Sequence, residues 1–597
     1  MCGVLLCLWI VSLMYLVMAP SPWEEELRAG AQLKTSHFWI QGLWWAALAD
    51  LLIATGLLLS GRSWWGKESS ASAIEDRPRP SARTRSVGLV LILAAVVYGG
   101  VIRAPRLQHG FWNDEEYAYR RYVGGYFEEK DDGRMEFRPV TWEKALFFNH
   151  TGNNHLLHTL FSRSSHLLWQ KGTGAAEGEF SEAVLRIFPY LWGLGAIGLC
   201  GILGWKIGGP GLAAAAAWML ALSPWHIRYS VEARGYSLMV FLLLLLAWLL
   251  GRASERDRWC WWLAAAMTGG LCMLAFAGSL YALVPAWGVA LLGCSRRGTA
   301  QRPIVANLIG LAVCLPLFAP SIPQIFHYLG REDTHPFHFG LPWLRDFFSH
   351  LVVGVPPGPQ VEGLQLGPDL LSLGPLAGAL VWWVFPVLIV AGAVALFFRG
   401  RGSSMAVLAT FFLSLVLGLI LVSRSDSPMH SWYFLFALPA VTLVAPASSL
   451  LLKKVFGPIA ASGFLAVLVI GYALATHVPR RQMAAVERQS MRATVRQIRA
   501  EAPDALTGVF GTSARQCRTY DPASRLIEST TELADLELEA RQSNRPLYIY
   551  FCGGRSAVER DPELVAEIVD SGRYRPQAEL LAFEELFGYK VFALTEK

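Results

Sequence analysis

The chain has 597 residues, of which 53% are hydrophobic and only 16% charged, with 23 tryptophans and a formal net charge of +6. Ordinary soluble domains carry roughly 25% charged residues, so this composition excludes a water-soluble globular fold for most of the length. The basic excess sits in short loops between apolar runs, which makes it a topology signal and excludes nucleic acid as the partner.

A bilayer core about 30 Å thick takes about 20 apolar residues in a helix, and that ruler predicts about thirteen spans. They fall near residues 1–20, 38–60, 86–103, 184–205, 210–229, 236–251, 259–275, 278–294, 303–322, 374–398, 405–423, 432–452 and 457–476. The uncharged run from Trp259 to Cys294 is too long for one crossing and is broken here at Ala277-Gly278. The first span has no Lys or Arg ahead of its apolar run, which favours an uncleaved helix over a signal peptide. Asp50 lies inside the second span, where a carboxylate is costly and faces a partner helix. Residues 1–60 thus form an N-terminal helix pair. Residues 61–85, rich in Ser, Pro and Arg from 66 onward, read as a linker to a body spanning 86–476.

About 17 Lys and Arg residues fall on the side that holds the linker, against about 7 in the short loops opposite. By the positive-inside rule the linker side and the N-terminus are cytoplasmic. Three larger pieces then lie outside: loop 104–183, loop 323–373 with His335 and His338, and the tail 477–597. The tail opens with a basic helical run from Arg480 to Arg499, then alternates strand-like segments (Thr507–Thr512, Pro546–Cys552, Tyr589–Leu594) with helical patterns such as Pro562–Ser571. Such alternation predicts a small α/β domain. Cys517 and Cys552 are the two tail cysteines and could pair if the compartment is oxidising. The fold class is therefore mainly α, a polytopic membrane protein with an extracytoplasmic α/β domain, placed in the inner or plasma membrane.

Polar chemistry gathers at two places on the outer face. Loop 104–183 carries Trp112-Asn113-Asp114-Glu115-Glu116-Tyr117 and, farther on, Asn149-His150-Thr151-Gly152-Asn153-Asn154-His155. The three acids read either as a solvated helix start or as a site, and the histidine spacings match no zinc pattern, so no metal centre is predicted. The second place is the turn Ser223-Pro224-Trp225-His226-Ile227-Arg228-Tyr229-Ser230-Val231-Glu232-Ala233-Arg234-Gly235-Tyr236. It puts two arginines where a positive-inside chain avoids them. They read as planar donor forks for phosphate, or as headgroup anchors with a local Glu232–Arg234 pair.

An Asp-Glu pair just outside an early helix, an Asn/His-rich segment, and then Ser230-Val231-Glu232-Ala233-Arg234-Gly235-Tyr236 together resemble the C-type glycosyltransferases. The branch is that of the protein mannosyltransferases and aminoarabinose transferases, and the likeness covers roughly residues 86–476. The family's late Arg-Tyr is replaced here by Met429-His430-Ser431-Trp432-Tyr433.

This resemblance implies transfer of a sugar from a polyprenyl-phosphate donor to an acceptor at the outer face. It implies Asp114 as the base, with Glu115 as its neighbour or alternative, and Arg234 on the lipid phosphate. His155 and Arg228 are expected as further phosphate contacts, Glu232 as the group orienting Arg234, and Tyr236 and Asn154 in support. No cofactor and no catalytic metal are expected. The acceptor is left open among protein, glycolipid and polysaccharide. Rival readings are a lipid or glycan transporter, a ligase using a diphosphate-linked glycan, and a membrane receptor. A transporter predicts internal repeats and ionisable groups at the midplane, whereas the polar clusters here gather at one interface.

Overall fold

The computed structural model describes residues 2–19, 21, 35–64, 81–130, 134–329, 339–359, 367–400, 402–425 and 429–595. Most of the linker, together with His335 and His338, lies outside the described residues.

Among the described residues, nine helices are long and apolar enough to cross a membrane, and three shorter apolar ones accompany them: Cys2–Met18, Pro210–Leu222 and Trp259–Ala275. The chain is a mainly α, multi-pass membrane protein. One of the nine units, Ser431–Ala475, contains the two spans read from sequence as 432–452 and 457–476. It bends at Gly457, whose φ of +84° is followed by Pro458, the pairing that interrupts a helical hydrogen-bond ladder. The long apolar run breaks where expected, with a single turn at Ala277–Ser279 between Trp259–Ala275 and Leu280–Ser295.

Helix Ala82–Arg103 shows how apolarity on every side is used. Val87, Leu89, Val90, Leu93 and Val97 are exposed, the face a span offers to lipid. Gly88, Ile92, Ala95, Gly99 and Gly100 are buried against the helices behind. A Cβ at Gly99 would stand 2.6 Å from Ile197, so the small residue sets how closely these helices approach. Helix Tyr236–Arg256 is buried along most of its length and forms the centre of the bundle.

Loop 104–183 folds into a cap over one end of this bundle. It holds the helix Asn113–Ala118, a hairpin of β1 (Gly125–Glu129) and β2 (Met135–Pro139), and helix Leu156–Thr173. That last helix buries His158, Thr159, Ser162 and Arg163 while leaving Leu168 exposed, as expected of a helix lying along a membrane surface.

The tail forms a five-stranded mixed sheet of β3 (Leu506–Phe510), β4 (Arg525–Leu526), β5 (Leu547–Cys552), β6 (Tyr574–Leu580) and β7 (Tyr589–Leu594). Its order is β4-β3-β5-β7-β6, parallel on the β3 side and antiparallel on the β7 side. The basic run at 480–499 is two helices, His477–Ala485 and Met491–Glu501, separated by a short non-helical link.

The disulfide open to Cys517 and Cys552 is not formed. Both are buried free thiols, with Cys517 Sγ 3.4 Å from the Tyr589 hydroxyl and Cys552 Sγ 2.6 Å from the Thr512 carbonyl oxygen. Alkylation of protein denatured without reductant should therefore label both cysteines, read by peptide mass spectrometry. A linked peptide pair would contradict the arrangement.

Candidate active site

Three adjacent carboxylates open the helix Asn113–Ala118, at the end where the helix dipole favours negative charge. The structure sends them to three different environments. Glu115 is buried and grips Arg186 with both oxygens: Nε to Oε1 at 2.7 Å and Nη2 to Oε2 at 2.6 Å. It also accepts the Ala233 amide at 2.6 Å, which ties the cap to the turn 223–236. Glu116 points the other way, ion-paired to Arg120 at 3.2 Å and accepting the Thr519 hydroxyl at 2.5 Å. Burial pushes its carboxyl up to about 7, against the pull of Arg120 and Thr519.

Asp114 is half-buried and makes no ion pair among the described residues; its one hydrogen-bond partner there is Asn113 Nδ2 at 3.5 Å. Its charge acts on Arg234, His430 and Arg488, which places it among those three cations or cation-forming groups. Of the acids in this run, Asp114 is the one with no ion-pair partner among the described residues, while Glu115 is committed to Arg186.

Arg234 is buried without a carboxylate partner among the described residues. Its Nη1 donates to the Asn153 carbonyl at 3.2 Å and its Nη2 to the Asn153 side-chain oxygen, while Nε has no acceptor among the described residues. His155 faces it. The Gly235 amide donates to His155 Nδ1 at 2.8 Å, so Nδ1 carries the lone pair. Burial and the nearby Arg234 charge hold this imidazole well below its ordinary pKa, hence neutral, which puts its proton on Nε2. That Nε2–H lies 3.2 Å from Arg234 Nη2, so two donors converge with no acceptor between them. An anionic oxygen is the group such a pair fits.

Other residues expected at the site have different duties. Arg228 is bound to Glu584 at 2.6 Å and lies over the Phe583 ring. Glu232 pairs with Arg488 at 2.9 Å, and no local Glu232–Arg234 pair forms. Asn154 braces the loop, donating to the Ala145 and Phe148 carbonyls at 3.0 Å and accepting from Thr159 at 2.8 Å. Tyr236 packs edge-on against His155, ring centroids 4.9 Å apart.

Sequence reasoning missed Asn153, Arg186, Trp112 and Arg488, and left the 429–433 segment without a role. The structure stacks His430 on Trp432 at 4.1 Å, sets Trp432 edge-on to Trp112, and places Arg488 over the Trp112 ring. The indole nitrogens of Trp112 and Trp432 are buried donors without partners among the described residues. One signal was available for Arg186, an arginine one turn inside an otherwise apolar helix.

Residues 172–323 match the family model described as dolichyl-phosphate-mannose-protein mannosyltransferase. The matched segment contains the Glu232–Tyr236 motif, and the chain resembles the C-type glycosyltransferases there. Among solved structures, the chain is similar to ArnT from Cupriavidus metallidurans in the apo state, at 14% identity and a TM-score of 0.48, over 86% of this chain and 98% of that one. The same ArnT bound to undecaprenyl phosphate gives 14% identity and a TM-score of 0.47 over the same shares. An oligosaccharyltransferase from Archaeoglobus fulgidus, in complex with zinc and sulfate, gives 13% identity and a TM-score of 0.44, over 82% of this chain and 72% of that one. No curated protein matches the chain.

The state of Glu116 is open to measurement. Its folded pKa of about 7 lies above the ordinary 4.5, so between those values the folded protein holds a proton that the unfolded chain has released. Its contribution to stability is therefore lost as pH rises through this window. Melting temperatures taken across that range should fall for the wild type relative to Glu116→Gln, with the gap widest near neutrality. Parallel curves would show that Glu116 does not hold the proton.

Proposed function

We propose that this protein transfers a sugar from a polyprenyl-phosphate donor to an acceptor at the outer membrane face, with the N-terminus cytoplasmic and the tail domain outside. The observation that carries this reading is one carboxylate without an ion-pair partner among the described residues, Asp114, whose charge acts on Arg234 where that guanidinium and His155 converge with no acceptor between them. The family match over residues 172–323 supports the same reaction class.

In this reaction the acceptor nucleophile attacks the anomeric carbon while Asp114 takes its proton. The bond from that carbon to the phosphate oxygen breaks, and its electron pair stays on the lipid phosphate, inverting the sugar. Arg234 and the Nε2–H of His155 are set to receive that growing charge, fixed in place before the reaction by Asn153 and the Gly235 amide. Glu115 and Arg228, committed to Arg186 and Glu584, serve as supports. The indole N–H groups of Trp112 and Trp432, without acceptors among the described residues, offer donors to a sugar ring.

Purified protein in lipid nanodiscs, given radiolabelled polyprenyl-phosphate sugars, tests this directly. Transfer or slow donor hydrolysis should release a monophosphate lipid. Asp114→Asn should slow it by about two to four orders of magnitude, and Arg234→Ala by about two to three, with folding intact in both. Activity untouched by either change would overturn the site. Release of a diphosphate lipid would mark a ligase using a diphosphate-linked glycan instead.

A further inference from the structure

The backbone that presents Asp114 does not satisfy itself. Of the four amides running into its helix, Gly110 donates to Glu487 Oε1 at 2.7 Å, Phe111 to the Tyr520 hydroxyl at 2.8 Å, and Asn113 to Gln489 Oε1 at 2.7 Å. Each acceptor belongs to the tail. Glu487 and Gln489 flank Arg488 in the link between helices His477–Ala485 and Met491–Glu501. Three successive side chains of that link therefore reach back into the membrane body.

Arg488 is the middle one and is buried. Its guanidinium carbon lies 3.4 Å from the centroid of the Trp112 ring, two residues before Asp114. Its Nη1 binds Glu232 at 2.9 Å, two residues before Arg234, and its Nε lies 3.3 Å from Glu584. Glu584, another tail residue, binds Arg228 at 2.6 Å on the same turn. Burial alone pushes the Glu584 carboxyl up, but Arg488 and Arg228 prevail and hold it below its ordinary range. A single planar fork thus joins the segment that leads into the Asp114 helix to the turn that carries Arg234, on a rigid aromatic stack.

We propose that Arg488 is a positioning residue that sets the distance between Asp114 and Arg234, so that docking of the tail domain completes the active site. The catalytic part of this role rests on the proposed transfer reaction; the mechanical coupling does not. Lysine cannot replace the fork, because a point ammonium loses both the stack and the two-sided pairing.

The test uses the full chain in nanodiscs, comparing wild type, Arg488→Gln and Arg488→Lys. Amide hydrogen exchange should rise in residues 110–118 and 228–236 together, while β3 and β5 keep their protection. With polyprenyl-phosphate sugar as substrate, kcat should fall about a hundredfold for Arg488→Gln, with KM for the donor moving less than about threefold, since misplacement affects the transition state and Arg234 keeps its own partners. Arg488→Lys should fall between, and it decides the matter by the same readouts if Arg488→Gln does not fold. Unchanged exchange in either segment, or loosening confined to the tail sheet, overturns the proposal. If wild type turns over no donor, the transfer reading fails while the exchange result still decides the coupling.

Discussion

The buried pair of Glu115 and Arg186 sits where three parts of the molecule meet. Arg186 lies in the first turns of a membrane-crossing helix, Glu115 in the cap, and the amide of Ala233 in the turn between two later helices. Taking two charges out of water is expensive and is offset only when geometry is good and the remaining lone pairs are filled. Here the fork is bidentate. Arg186 also donates to the Gly110 carbonyl at 3.0 Å and the Arg106 carbonyl at 3.1 Å, and Glu115 accepts an amide besides. Removing one partner of such a pair typically costs about 3–5 kcal/mol, because the other charge is left buried alone. The pair therefore works less as a source of net stability than as a rule about register, allowing only one way to seat the cap on the bundle.

That register gives three neighbouring acids distinct characters. Helical geometry turns successive residues by about 100°, so Asp114, Glu115 and Glu116 must face three directions. Once Glu115 faces Arg186, Glu116 is carried toward Thr519 of the tail and Asp114 toward Arg234. The chemistry available at Asp114 is thus a consequence of its neighbour's ion pair.

The membrane helices were legible because lipid imposes a single requirement, apolarity over a fixed length, and the break at 277–279 and the bend at Gly457 follow from glycine and proline in plain view. The edge strand β6 was not, since Tyr574–Leu580 carries Pro576 and exposed charges and lacks the alternating pattern of a half-buried strand. Asp114, His155 and Arg234 could be singled out in the sequence because their motifs are local. Arg488 was hidden inside a basic run that reads as a solvated helix, and its partners Trp112, Glu232 and Glu584 are distant in sequence. The same distance explains Arg228 and Glu232, whose residue types suggest phosphate and Arg234 but whose partners come from the tail. Composition reveals that an arginine is present, whereas only the fold reveals which carboxylate claims it.

The charges facing the site bear on the proposed transfer. Glu115 pairs with Arg186, and Glu232 and Glu584 pair with Arg488 and Arg228. Asp114 and Arg234 are opposite in sign and have no ion-pair partner among the described residues. A sugar phosphodiester brings one negative charge, and the leaving phosphate monoester carries one more. The acceptor's proton neutralises Asp114 in the same step, so the negative charge lost at the carboxylate reappears on the phosphate beside Arg234 and His155. The total charge of the buried site is unchanged from start to finish. A low-dielectric site can support that reaction because it relocates charge between groups already positioned for it, and need not create charge that water would have to solvate.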